Sequence, residues 1–176
     1  MAKKLPFTME NLMKLAARDM KYLIDKELFK ENLRNYIVQR TLDGEGSRKI
    51  KFTKYSPSYA AKKKAAGLDP KVVNLSFTGE MLESLRVIED NKEGNIKAGN
   101  IGTFRLVSDD KIRGFNRGNT ITNTDIMNFH KERTYDSRPL PVRHFTWVDK
   151  LELAKVVEDT MAGIRYERPE IPKAKK

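Results

Sequence analysis

Apolar residues recur at helical spacing over the first part of the chain. They lie at Met13, Ala16, Met20, Leu23, Ile24 and Leu28, and then at Phe29, Leu33, Tyr36 and Ile37. Such spacing places them on one face, so the pattern predicts a helix over residues 8–42 with Thr8 as its cap. A straight helix of that length would span roughly 50 Å, whereas a domain of this size is about 40 Å across. We therefore expect the helix either to break near Asp25, where the apolar stripe shifts, or to project toward a partner.

The helical pattern ends at the turn-rich sequence DGEGS. The residues that follow, RKIKFTKYS, are too basic for a buried strand. This predicts an extended basic arm over residues 42–55. Loops longer than about 12 residues without secondary structure are usually functional or disordered, so the arm is either a binding element or mobile. A short helix follows, because Ser56 can cap it, Pro57 fits its first position and Gly67 marks its end.

The stretch NLSFTGEMLESLRV, residues 74–87, joins this helix to a predicted sheet. Thr78 is a candidate N-cap, and Gly79 lets the chain turn sharply into a second short helix that covers the sheet. Apolar side chains on both sides of the turn are expected to fill the core. These core candidates are Leu75, Phe77, Met81, Leu82 and Leu85.

The second half of the chain predicts strands followed by a long helix. Strands are expected at residues 86–89, 95–101 and 103–107, and a short helix at 125–133. A C-terminal helix over 148–164 would bury an apolar stripe made of Leu151, Leu153, Ala154, Val157 and Met161. Residues 166–176 are polar and contain prolines, so we expect a disordered basic tail.

Together these elements predict a single α+β domain over residues 1–176. Its antiparallel sheet of about four strands would be packed by the long N-terminal helix, the short middle helices and the C-terminal helix, with the basic arm extending from it. Apolar residues make up 39% of the chain and charged residues 34%. The core should therefore be modest, and much of the chain should lie on the surface.

The formal net charge of the chain is +11, and the excess is concentrated in residues 47–71. Asp69 is the only acid there. The basic residues of the segment are Arg48, Lys49, Lys51, Lys54, Lys62, Lys63, Lys64 and Lys71. A solvated face is one interpretation, and a polyanionic or acidic protein partner is the other. Because Tyr55 and Tyr59 lie among the lysines, this segment could also contact phosphates and stack on bases.

Residues that could carry catalysis or hold a cofactor are scarce. The chain has no cysteine, which excludes disulfides, thiolate catalysis and cysteine-ligated zinc. Phosphate loops, dinucleotide turns, calcium loops and serine elbows are also missing from the sequence. We therefore predict that the protein is not an enzyme and uses no metal or other cofactor. A hydrolase that uses His130 with Asp125 or Glu132 is the catalytic alternative.

The sequence also bears on where the protein works. No run approaches the ~18 apolar residues of a membrane span, and Glu10, Lys14 and Arg18 interrupt the first residues, which therefore lack a signal-peptide core. We expect synthesis and retention in the cytosol, and no membrane partner.

Three consecutive motifs resemble a known family. QRTLDGEG, then KYSPSYAAKKKAAG, then VVNLSFTGEMLESLRV look like the middle part of tailed-bacteriophage virion morphogenesis proteins. Further on, KIRGFNRG and RPLPVRHFTWV are similar to the family's Asn/His-x-Gly loop and its Pro-x-Arg-x-Phe segment before the last helix. The resemblance covers about residues 36–161.

The resemblance implies a tail-completion, tail-terminator or head-tail joining protein of the phage neck. Several copies, expected to be six, would form a ring between the head connector, on the portal side, and the tail tube. The implied localisation is the virion, with assembly in the host cytoplasm, and non-specific contact with packaged DNA is conceivable. The alternative is a nucleic-acid-binding accessory protein that uses residues 47–71.

A ring requires surfaces that contact neighbouring copies rather than a pocket. The arm and the proline-containing segment 138–147 are the candidates, and Arg, Phe and Trp are residue types enriched at interface centres. Phe145 is assigned to the core, whereas Trp147 stays open between core and interface. The interface candidates are Arg48, Lys49, Lys51, Lys54, Tyr55, Tyr59, Arg138, Arg143 and Trp147.

Overall fold

The computed structural model describes residues 24–76, 78–90, 96–98, 101–116, 119–131, 134–135, 138–139 and 143–174. Over these residues the chain is an α+β protein with five helices around a small antiparallel sheet. The helices are α1 Lys26–Leu42, α2 Pro57–Ala65, α3 Glu80–Ser84, α4 Asn123–Lys131 and α5 Lys150–Met161. The strands are β1 Arg86–Glu89, β2 Ile96–Lys97, β3 Thr103–Val107, β4 Ile112–Asn116, β5 Asn119–Thr122, β6 Thr134–Tyr135 and β7 Arg138–Pro139.

Helix α1 begins at Asp25, because this side chain caps it. The Asp25 carboxylate accepts hydrogen bonds from the backbone of Glu27 at 2.9 Å and of Leu28 at 3.0 Å, and Asp25 itself has extended backbone angles. The long helical pattern is therefore interrupted where the apolar stripe shifts. Residues 8–23 of the predicted helix lie outside the described part of the chain.

The main sheet has the strand order β1-β3-β2, and both pairings are antiparallel. Its buried face follows the two-residue alternation of strands: Phe104 and Leu106 of β3 are buried, and Val87 is paired with Leu106. Helix α1 covers this face, and Phe29 packs on Phe104 with ring centroids 5.0 Å apart. The other strands form two hairpins, β4-β5 and β6-β7.

The turn before α3 places several core candidates. Gly79 adopts a φ of 79° and is itself the N-cap, so the assignment of that position to Thr78 is wrong. A side chain at position 79 would be strained at this φ and would meet Ile171 at 2.9 Å. The structure buries Leu75, Met81, Leu82, Leu85 and Phe145 in the core. Phe77 lies outside the described residues.

Residues 42–55, predicted as an extended arm, fold back onto the domain. Gly44 has a φ of 77°, and its carbonyl accepts a hydrogen bond from the Phe52 amide at 2.9 Å. A single 3₁₀ turn, Ser47–Lys49, forms the tip. Phe52 and Tyr55 pack against the core. The expectation of an extended arm is corrected, because these two rings gain stability from burial while the basic side chains of the segment stay in water.

The tail predicted to be disordered is ordered through Ala174 and packs along α1 and α3. Asn32 and Asn35 of α1 donate to the backbone carbonyls of Ile164 at 2.8 Å and Tyr166 at 3.0 Å. Ile171 is buried in the core. The prediction of disorder is wrong because it used only the polar composition of the segment. That composition does not reveal the hydrogen bonds that the side-chain amides of Asn32 and Asn35 donate to backbone carbonyls at the start of this segment.

The buried face of α5 also differs from the predicted stripe. Val156 and Thr160 are its buried residues, while Leu151 is 83% exposed and Met161 is 42% exposed. Leu153 and Val157 pack partly against the core. The face of α5 that packs on the core therefore differs from the predicted apolar stripe. Thr160 can lie on the buried face because its hydroxyl donates a hydrogen bond to the Val156 carbonyl.

Candidate functional site

A groove lies where the folded arm meets the segment before α5, and we call it the arm groove. It is lined by residues 46–48 and 50–53 on one side and by residues 144 and 147–149 on the other, with a volume of about 420 Å³. Both walls belong to segments that the sequence marked as interface candidates. The tertiary structure brings them together, although about ninety residues separate them along the chain.

The walls of the arm groove expose large apolar side chains. Ile50 is 64% exposed and Trp147 is 57% exposed. The ring of His144 lies against Trp147, with centroids 5.0 Å apart. Leu151, in the first turn of α5, adds a third exposed apolar side chain close in sequence to this wall. Trp147, left open by the sequence, is therefore a surface residue.

Backbone contacts hold the two walls together. The Ser47 amide donates to the His144 carbonyl at 3.3 Å. A Cβ at Gly46 would meet this carbonyl at 3.3 Å and the Phe52 ring at 3.1 Å, so a side chain there would require these neighbours to shift by a few tenths of an ångström. At the tip, Arg48 and Lys49 have positive φ angles of 59° and 56°. Consecutive left-handed residues other than glycine store strain of about 1–2 kcal/mol each, which the surrounding contacts must offset.

A buried ion pair supports the wall that carries Trp147. Arg40 of α1 contacts the Glu152 carboxylate at 2.7 Å, and the two side chains are 4% and 9% exposed. The same guanidinium donates to the carbonyls of Phe145 at 2.8 Å and Trp147 at 2.6 Å. Glu152 also accepts from the Arg48 amide at 3.2 Å. This one pair therefore fixes both walls to the core.

The rim of the arm groove is basic. Arg48 and Lys51 line the groove, and Lys49 and Lys54 are exposed next to them in the arm. Lys51 pairs with Glu45 at 2.7 Å, and Arg48 lies 3.9 Å from Asp149. Both basic partners are mostly in solvent, so each pair adds little stability. The surface therefore combines an apolar floor with an excess of positive charge.

Three further interface candidates, Tyr55, Tyr59 and Arg143, lie beside Lys63 and His130 in a group that we call the tyrosine cluster, and of these Tyr59 is 37% exposed. The two tyrosine rings lie 4.7 Å apart, and Arg143 lies 5.6 Å from the Tyr55 ring. Arg143 is only 5% exposed, so its assignment to an interface is corrected. Its guanidinium is buried because it stacks on Tyr55 and donates to the Thr53 carbonyl at 3.4 Å.

Burial shifts the ionisation of this cluster. Desolvation raises the pKa of Tyr55 to about 12 and also raises that of Tyr59. Desolvation, and then the charge of Arg143, lower the pKa of His130 to about 4. An Arg143 nitrogen lies 3.4 Å from Nδ1 of His130. Because arginine can only donate, Nδ1 is the acceptor, and the imidazole is neutral.

Lys63 is the buried residue that the sequence did not identify. Its side chain is fully buried, and its ammonium donates to Asn74 Oδ1 at 2.7 Å and lies 4.9 Å from the centroid of the Tyr55 ring. Desolvation lowers the pKa of Lys63. A signal was present, because Lys63 lies one helical turn after Tyr59 on the same face of α2.

Two residues of the hydrolase alternative, Asp125 and His130, lie toward opposite ends of α4. Asp125 accepts from the backbone and hydroxyl of Thr122, both at 2.8 Å, at the start of α4. His130 lies near the other end of the helix, where it contacts Arg143 and Phe145. Glu132 lies outside the described residues, and Arg138 is described only as backbone in β7. Asp125 therefore acts as a structural group at the helix start.

Within the described residues, no group of three or more His, Asp or Glu side chains could hold a metal ion. None of the helices described in this chain is long and apolar enough to cross a membrane. No family model, curated protein or solved structure matches the chain.

Proposed function

We propose that this chain is a structural virion protein of a tailed phage, and that it forms part of the neck as a tail-completion or tail-terminator ring. The observation that carries the proposal is the arm groove, a surface on which Ile50 and Trp147 are exposed among basic side chains. Large exposed apolar side chains rimmed by polar residues mark sites of protein interaction. The motif resemblance supplies the neck as the place where such a surface would act.

The way in which the groove is built suits assembly. Arg40 and Glu152 hold its walls from the core, so little conformational freedom is left to lose when a partner docks. Head-to-tail contacts between copies close into a ring if their rotation closes. The proposed partners are further copies of the chain, the head connector and the tail tube, with assembly in the host cytoplasm and final location in the virion.

Electron microscopy of intact particles tests the proposal. We expect density for this chain at the head-tail junction, in a ring with rotational symmetry. Trp147→Ser should reduce its incorporation into particles, because it removes the exposed indole. Ile112→Ser is the matched control, since Ile112 is 55% exposed on β4 and lines none of the arm groove. Absence of the chain from purified particles would end the proposal.

A second candidate, nucleic-acid binding, is favoured by the row of exposed basic side chains in residues 47–71. All of the basic residues there except Lys63 are exposed. If about six phosphates were neutralised, log affinity for duplex DNA should fall against log salt with a slope near −5. A shallow slope with weak binding would favour the structural role instead.

A further inference from the structure

We infer that the arm groove receives an acidic segment of another protein, which inserts an apolar side chain between Ile50 and Trp147 and directs its carboxylates to the basic rim. This inference rests on the proposed function, because it names the partner class for the same surface. The inference names the kind of partner that binds in the groove, which the family resemblance does not specify.

The shape and lining of the groove argue for an apolar anchor. Its volume of about 420 Å³ lies in the range of roughly 300–1,000 Å³ that is typical of sites enclosing side chains or small ligands. Ile50 and Trp147 lose exposed area when such an anchor docks, and burial of apolar area is worth about 25 cal/mol per Å². Tryptophan and arginine, both present here, are the residue types that dominate binding energy at interfaces.

The charges argue for an acidic segment. Arg48 and Lys51 line the groove, Lys49 and Lys54 are exposed beside them in the arm, and these four outnumber the acids that lie next to them, Asp149 and Glu45. Asp149 accepts from the amides of Leu151 and Glu152 as the cap of α5, and Glu45 pairs with Lys51. Complementary charge selects partners and accelerates their encounter.

The charge of the whole chain argues against a second copy as the occupant. Each copy carries a formal net charge of +11, so a basic groove gains more from an acidic segment than from the basic surface of another copy. A basic groove on one copy therefore favours an acidic segment from a different protein. Copies in a ring would then use other surfaces, and the arm groove would face a neighbouring layer of the assembly.

Fluorescence of the single tryptophan of this chain, Trp147, reports directly on the groove. The probe is a short synthetic peptide with two leucines among glutamates. One control peptide replaces the glutamates by lysines, and another replaces the leucines by glycines. We expect a saturable spectral change with the first peptide, at an affinity at least about tenfold higher than with either control.

Variants then locate the binding. Ile50→Ser removes an apolar side chain of the wall, and Lys51→Glu reverses a charge of the rim. Each should lower the affinity for the first peptide by about fivefold or more. Ile112→Ser and Lys64→Glu are the matched controls, and they should leave its affinity unchanged. Circular dichroism of each variant confirms that the fold is retained.

Three results would overturn the inference. These are equal affinity for all three peptides, a tryptophan response to a DNA oligonucleotide that exceeds the response to the peptide, and a concentration-dependent tryptophan change of the chain alone that coincides with self-association. Microscopy of the particles separates the two proposals. If the chain lies in the neck but does not bind the acidic peptide, the proposed function stands and only the acidic partner is refuted.

Discussion

Replacement of Arg40 by methionine tests whether the buried ion pair holds the arm groove. Methionine keeps most of the side-chain length and volume of arginine but removes the guanidinium. Glu152 then loses its partner at 2.7 Å. The carbonyls of Phe145 and Trp147 lose donors at 2.8 Å and 2.6 Å.

The expected loss of stability is large because the remaining charge is buried. Removing one partner of a buried pair typically costs about 3–5 kcal/mol, since the other charge is left uncompensated. A domain of this kind has a total stability of about 5–15 kcal/mol. With an m-value near 2 kcal/mol per molar urea, the unfolding midpoint should fall by roughly 1.5–2.5 M.

Urea unfolding followed by two probes measures this loss. Far-UV circular dichroism reports on the helices, and Trp147 fluorescence reports on the groove. Glu152→Gln should cost less than Arg40→Met, because the single glutamine oxygen can still accept from one of the two amides that Glu152 binds, those of Arg48 and Asp149. Arg40 also keeps its hydrogen bonds to the carbonyls of Phe145 and Trp147. The double variant should lose less free energy of unfolding than the sum of the two single losses, by about 1–3 kcal/mol.

Lys26→Met is the matched control, since Lys26 pairs with Glu89 at 2.8 Å but both side chains are about one-third exposed. It should change stability by no more than about 1 kcal/mol. The reasoning would be refuted if Arg40→Met cost no more than this control, or if its effects were strictly additive with those of Glu152→Gln.

Three further predictions follow from the buried residues. Lys63→Met should leave the midpoint of urea unfolding unchanged or raise it, because it removes a fully buried cation while Asn74 Oδ1 still accepts from the Ser76 amide at 3.2 Å; a loss above about 2 kcal/mol would contradict this. The pKa of His130 is lowered from 6.5 to about 4, so the unfolded chain binds the proton first as pH falls. Stability should therefore fall by up to about 3 kcal/mol between pH 6.5 and 4, and His130→Gln should flatten that part of the pH profile; an unchanged profile would refute it. Leu82→Asp should prevent soluble folding, since Leu82 is fully buried, and Leu82→Ala should fold but lose about 2–5 kcal/mol; cooperative thermal melting of the soluble aspartate variant would show that this placement in the core is wrong.

Local signals in the sequence predicted the features that depend on a few neighbouring residues. The start of α1 follows from Asp25, whose carboxylate accepts from amides two and three positions along the chain. The turn before α3 follows from Gly79, because that backbone angle is cheap only for glycine. The α+β class followed from the change of apolar period between the two halves of the chain.

The candidate site depended instead on residues far apart in sequence. Arg143 is buried because two residues about ninety positions earlier satisfy it. The Tyr55 ring stacks on its guanidinium, and the Thr53 carbonyl accepts a hydrogen bond from it. Charge and composition alone placed it on the surface. Lys63 is buried by partners about ten positions away, Asn74 and the Tyr55 ring, and its position one helical turn after Tyr59 was a local signal of this.

What the amino-acid sequence determined by itself was therefore the helices, the strands β1, β2 and β3, and most of the apolar core, since propensity, capping and periodicity act over a few residues. The hairpins β4-β5 and β6-β7 were not predicted. The tertiary structure decided which charged side chains are buried, that residues 42–55 fold back, and that the C-terminal segment packs on α1. Burial of a polar group is favourable only when distant partners satisfy it. The fold alone brings those partners into place.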